Sequence, residues 1–149
     1  MEHKLSVLAK IAKQLNERNI TWALGASGML YFNGIIDRFH DLDILVDERH
    51  ILEAKAVLDT LGTLQERIPH PDFKTKHFLE YVIEGVEVDT IAGFVIHKEG
   101  TDYAMPFDET HIEGTASLWG ETIPLQSRSD WQHYYTLMGR PEKALMCTL

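Results

Sequence analysis

Leu24-Gly25-Ala26-Ser27-Gly28, followed downstream by Asp41-Leu42-Asp43-Ile44-Leu45-Val46, is the stretch whose reading decides the fold. Residues two apart in a strand point to the same face, about 6 to 7 Å from each other. Asp41 and Asp43 therefore project together, while Leu42, Ile44 and Val46 face the other side. Two carboxylates side by side in an apolar strand lose hydration and repel each other. Such a pair is tolerated where a cation or hydrogen-bond donors sit between the groups. The preceding residues supply donors. A strand over 20–24 runs into the Gly25–Gly28 turn and a short helix over 28–32 that ends at Asn33-Gly34. The backbone N–H groups of that turn and the Ser27 hydroxyl suit a phosphate.

Outward from this centre the chain alternates helix and strand. Leu5, Leu8, Ile11, Ala12 and Leu15 share one helical face. Asp47 is placed to cap a helix bearing Ile51, Ala54, Leu58 and Leu61, with Gly62 as its C-cap. Strands over 78–83 and 86–91 flank Glu84-Gly85, a two-residue hairpin loop. On the second of them Glu87 and Asp89 share a face and Val86 and Val88 take the other. Turn signals at Gly100 and Gly120 imply two or three further strands. Ser129 with Gln132 forms a capping box for a final helix through Trp131, Tyr135 and Met138, stopped by Gly139, and Pro141 starts one more turn. The expected architecture is one domain over 1–149, α/β (α+β), a mixed β-sheet with helices packed on it and a helical C-terminus.

Composition narrows the function classes. The 149 residues are enough for a core, and 14 basic against 23 acidic residues leave a net charge of −9. That balance argues against duplex nucleic acid as a partner, which wants a basic face. It is compatible with a nucleotide whose charge is offset by a divalent metal. One cysteine, Cys147, excludes an internal disulfide, and none of the eight histidines forms a His-x-x-x-His pair. No apolar run approaches the roughly 18 residues that span a bilayer. Charges interrupt the apolar positions throughout 1–19, unlike a signal peptide. A cytoplasmic protein without membrane contact is expected.

If the strand over 42–46 lies beside the strand over 86–91, Asp41 and Asp43 meet a third acid, Asp89 or Glu87. Two divalent cations about 3.5 to 4 Å apart would occupy such a cluster and clamp a phosphoryl group. Mg²⁺ or Mn²⁺ is the natural ion, because both accept carboxylate and phosphate oxygens without histidine or cysteine. Asp-x-Asp by itself arises often by chance, and a small-residue turn usually serves packing. The ordered set is more specific.

That set resembles the DNA polymerase β-type nucleotidyltransferase superfamily. The matching residues are Leu24-Gly25-Ala26-Ser27, the thirteen residues 28–40, Asp41-Leu42-Asp43-Ile44, and later Val88-Asp89-Thr90. The likeness covers 22–94 and is strongest to small single-domain members, the minimal nucleotidyltransferases and those related to aminoglycoside and lincosamide nucleotidyltransferases. The tail from Ser129 to Pro141 is similar to their closing helices, less specifically. The resemblance implies that Asp41 and Asp43 are metal ligands and that Asp89 is the third carboxylate, both catalytic and metal-binding. Gly25 and Ser27 become contacts to the nucleotide phosphates. Ala26 stands where the second small residue is usually glycine, so the turn reads as Gly25-Ala26 or as Ala26-Ser27. Val86-Glu87-Val88 competes with Val88-Asp89-Thr90; Asp89 is preferred because the shorter side chain holds a metal more rigidly.

The remaining polar residues suit solvated surface or loop positions first. Arg38, Lys74 and Lys76 lie where they could reach a phosphate, with Lys76 favoured as the nucleotide-binding cation because it enters the strand beside that of Asp89. His40, His70 and His77 read as surface or loop residues. Trp22, Trp119, Trp131, Tyr134 and Tyr135 read as core and helix packing, with one or two available to line an acceptor pocket.

The activity implied is transfer of a nucleoside monophosphate from an NTP, with Mg²⁺ or Mn²⁺, to a hydroxyl of a small molecule or protein, releasing pyrophosphate. A homodimer completing the acceptor site is compatible with so small a chain. The competing class is a non-catalytic nucleotide-binding or protein-interaction module on the same fold, such as one partner of a two-protein system, motivated by Ala26. A metal-dependent glycosyltransferase with an Asp-x-Asp pair is a third reading, disfavoured by chain length.

Overall fold

Helical spacing of apolar residues makes Glu2–Glu17 a helix, α1, burying Val7, Leu8, Ile11, Ala12 and Leu15 and leaving Lys10 and Lys13 exposed. The computed structural model describes residues 1–66 and 74–149. After α1 come β1 (Trp22–Gly25), α2 (Ala26–Phe32) and β2 (Leu42–Val46). A 3₁₀ turn, Glu48–His50, then leads into α3 (Ile51–Leu61). Next are β3 (Thr63–Leu64), β4 (His77–Ile83), β5 (Val86–Ala92), β6 (Phe94–Lys98) and β7 (Thr101–Met105). The chain continues through β8 (Ile112–Leu118) and β9 (Glu121–Gln126) to α4 (Arg128–Leu137) and α5 (Pro141–Met146).

Seven strands form one sheet in the order β3-β4-β5-β2-β1-β9-β8, and β6 and β7 form a separate ribbon. β2 pairs parallel with β5 and β1 parallel with β9, while the other pairs in the sheet are antiparallel. The sheet is thus mixed, with helices packed on it and a helical C-terminus. One face, carrying Leu42, Ile44, Tyr81 and Val88, is sealed by α3, whose Asp59 accepts a 2.7 Å hydrogen bond from the Tyr81 hydroxyl. α1 packs beside α3. α4 covers part of the opposite face, the one toward which Asp43 and Asp89 point.

Several sequence expectations change. Gly100 and Gly120 sit in hairpins of a region with four strands rather than two or three. Gly62 ends α3 in an extended conformation (φ −160°), not a left-handed cap; its lack of a side chain is needed because a Cβ would lie 2.4 Å from the Val82 carbonyl oxygen. Asp47 does cap, but through the 3₁₀ turn, accepting from the Arg49 N–H at 3.0 Å. The N-cap of α4 is Ser127, accepting from the Asp130 N–H at 3.3 Å, not Ser129. Trp22 is buried, whereas Trp119 is 58% exposed at the tip of the β8–β9 hairpin and is no core residue.

Candidate active site

The cross-strand register builds the site. Asp43 lies opposite Gly25 of antiparallel β1 on one side and opposite Asp89 of parallel β5 on the other. Asp41 precedes β2 by one residue and returns to the same face. One carboxylate oxygen from each of Asp41, Asp43 and Asp89 comes within 4.8 Å of the other two. All three groups are partly buried. Glu87, the rival third acid, is exposed and outside this cluster.

Gly25 sits beside Asp43 for a packing reason. A Cβ there would stand 2.5 Å from Nε1 of Trp131, so the absent side chain lets the indole of α4 close over β1. Trp131 is held in turn by its Nε1–H, which donates to Gln126 Oε1 at 2.8 Å. The buried Gln126 amide donates to Asp130 and to the Tyr134 hydroxyl, each at 3.1 Å. This network seats α4 at a set height above the carboxylates. Ala26 begins α2 with φ +50°, the left-handed region that favours glycine. Glycine adopts that conformation without the steric cost a Cβ brings.

A cleft of about 800 Å³ opens beside the cluster, lined by Ser27, Asp41 and Asp43 among its polar residues. Phe78, Ile91 and Phe94 form its apolar floor, and Trp131, Tyr135 and Met138 of the α4 region form a wall. Burial, then the neighbouring charges of Asp41 and Asp89, push the Asp43 carboxyl well above the usual carboxylate range, and Arg140 opposes part of that push. Asp89 is pushed up to about 7, by burial first and then by Asp41, Glu80 and Glu87. Burial and the nearby Asp43 push the Tyr135 hydroxyl above the ordinary phenol range. Three crowded oxygens whose environment disfavours negative charge are a donor set that a hard divalent cation fits.

The other candidates separate. Arg38 and His40 line the cleft. Lys76 does not: its ammonium lies 3.3 Å from Glu48. Lys74 faces Asp102 at 3.5 Å, and His77 is exposed on β4. His70 lies outside the described residues. Sequence reasoning missed Arg140 and Lys143, which line the cleft from the α4–α5 corner. Neither belongs to the Gly/Ser or Asp-x-Asp pattern, and Pro141 was the local signal that the chain turns there.

No family model matches the chain, and no curated protein matches its sequence. Solved structures do match. A candidate nucleotidyltransferase from Thermotoga maritima superposes with a TM-score of 0.79 and 26% identity, covering 97% of this chain and 89% of that one. The antibiotic-resistance factor ANT(2'')-Ia matches with a TM-score of 0.67 and 15% identity over 98% of this chain and 83% of its own. The lincosamide antibiotic adenylyltransferase LnuA, bound to lincomycin, matches with a TM-score of 0.62 and 13% identity, covering 93% and 94%. By its fold the chain is a small nucleotidyltransferase-like protein. The latter two likenesses carry the fold alone.

Proposed function

We propose that the protein is a metal-dependent nucleotidyltransferase, moving a nucleoside monophosphate from an NTP to a hydroxyl of a small molecule or protein. The observation that carries this reading is the meeting of Asp41, Asp43 and Asp89 oxygens within 4.8 Å beside Ser27 at the edge of a cleft. Asp41 and Asp43 hold Mg²⁺ or Mn²⁺, with Asp89 as the third carboxylate. When bound, the ion polarises phosphoryl oxygens and offsets their charge. Ser27 and the N–H groups at the start of α2 steady the nucleotide phosphates, and Gly25 contributes by admitting Trp131.

Asp89 takes the proton of the acceptor hydroxyl. The acceptor oxygen then bonds to the α-phosphorus, the α–β bridging P–O bond breaks, and pyrophosphate leaves. The apolar floor and the net charge of −9 favour a small-molecule or protein acceptor over duplex nucleic acid.

Pyrophosphate release, measured with each NTP, Mg²⁺ or Mn²⁺ and a panel of hydroxylated acceptors, tests this reading. Asp43→Asn should lower turnover by about 10³-fold or more, since metal-borne stabilisation amounts to several kcal/mol. The variant should melt at the same temperature or higher, because carboxylate repulsion is relieved. Undiminished turnover in a folded Asp43→Asn protein overturns the assignment.

A further inference from the structure

Lys4 stands where the pattern of α1 calls for an apolar residue. It heads the stripe that continues through Leu8, Ile11 and Leu15, all of them buried on one helical face. It also lies in the first turn, the end of a helix where the backbone dipole disfavours a cation. The contact that offsets both costs is a hydrogen bond. The half-buried Lys4 ammonium donates to the Phe39 carbonyl oxygen at 2.9 Å. The other lysine hydrogen bonds among the described residues go to carboxylates, Lys10 to Glu84 and Lys55 to Asp59.

Phe39 lies in a segment with little else to fix it. Residues 36–40 connect α2 to β2, and no backbone–backbone hydrogen bond joins them to any described residue. Within 33–40 Phe39 alone is buried, at 2% exposure, with its ring edge-on to Tyr31 of α2 at 5.3 Å. Two residues further on comes Asp41, the member of the carboxylate cluster that lies outside the strands. The β2–β5 register fixes Asp43 and Asp89. Asp41 has that register on one side only, through Leu42 opposite Val88, and on the other it has Phe39.

We propose that Lys4 is a positioning residue for the metal site: by fixing the Phe39 carbonyl it holds Asp41 where its carboxylate joins those of Asp43 and Asp89. The assignment rests on the metal-dependent reading of the cluster. This latch acts through the backbone, so breaking it weakens cation binding even though a positive charge is lost. Plain electrostatics gives the opposite sign, because deleting a cation favours binding of a divalent ion.

Mn²⁺ titration of the metal-free full chain, followed by the electron paramagnetic resonance signal of free Mn²⁺, tests it. The proteins compared are the wild type, K4M, K4R, K10M, D41N and K4M combined with D41N. K4M should weaken Mn²⁺ by about tenfold, the scale of losing a group that orients a metal ligand. It should melt close to the wild type, because methionine continues the apolar stripe. K4R keeps a donor and should recover part of the affinity. K10M removes the same charge from an exposed position and should bind at least as tightly as the wild type. On the D41N background K4M should change nothing further. Amide exchange over 35–41, measured without metal, should be faster in K4M than in K10M. K4A, a good helix former, carries the same tests if K4M does not fold.

Unchanged or tighter Mn²⁺ binding by the folded variant overturns the latch and leaves the metal site standing. So does an equal loss on the D41N background, or equal exchange over 35–41. A wild type that binds no Mn²⁺ overturns both the latch and the metal-dependent reading.

Discussion

Ala26 carries φ +50° at the first residue of α2, where an L side chain costs roughly 1–2 kcal/mol and glycine almost nothing. Ala26→Gly should therefore stabilise the protein by about 0.5–1 kcal/mol, after the larger unfolded-state entropy of glycine is subtracted. In a chain of this size that is a rise of about 2 °C in Tm. Its neighbour should respond with the opposite sign. Gly25→Ala pushes a methyl to 2.5 Å from the Trp131 indole and should destabilise by about 1–3 kcal/mol as α4 is displaced. Calorimetric melting of both variants checks the pair. Glycine and alanine look interchangeable in the motif. One answers to a backbone angle and the other to a ring on a helix about a hundred residues away, and a local pattern records neither.

At the scale of the element, α4 matters most, because it sets the wall of the cleft. Its composition points to Ser129 with Gln132 as the cap, whereas the structure uses Ser127, which accepts from the Asp130 N–H. The end of β9 at Gln126 decides between them, since the helical turn must begin directly after it. Ser127→Ala should cost about 1 kcal/mol, the usual worth of an N-cap. Ser129→Ala, which loses a 2.7 Å hydroxyl contact to Ser127, should cost less, and denaturant midpoints would rank the two. The hairpins show the same division. Glu84-Gly85, with φ +48° and +81°, is the tight two-residue turn its composition announces. Trp119-Gly120 adopts nearly the same angles, +49° and +85°, and so carries its indole to the surface at a hairpin tip. Residue type alone argued for burial there.

For the molecule as a whole, the carboxylate cluster governs how stability depends on pH. Asp43 and Asp89 keep their protons in the folded metal-free protein at pH values where the unfolded chain has lost them. The unfolded state then binds fewer protons, so stability falls as pH rises from about 4 toward the Asp89 value of about 7. The opposite holds below that window. Asp47, Asp59 and Asp108 are held low, chiefly by hydrogen bonds, and their contribution is lost as pH falls through the acid range. Metal-free protein should therefore be most stable near the lower end of the window. Thermal melts at a series of pH values should show a decline that Asp43→Asn flattens and that added Mg²⁺ reverses near pH 8. A profile indifferent to both changes would contradict the electrostatic account.

The sequence by itself determined the alternation of helix and strand, the hairpin at Glu84-Gly85, the faces of β2 and β5, and the acids those faces present. Such features depend on side-chain period and turn chemistry within a few residues. Tertiary structure alone decided that β2 and β5 are parallel neighbours with Asp43 opposite Asp89, that Glu87 stays outside, and that Lys76 turns to Glu48. It also decided that Arg140 and Lys143 reach the cleft from the far end of the chain. Strand order and helix height follow from how the whole core packs, and packing is a sum over contacts that no short window contains.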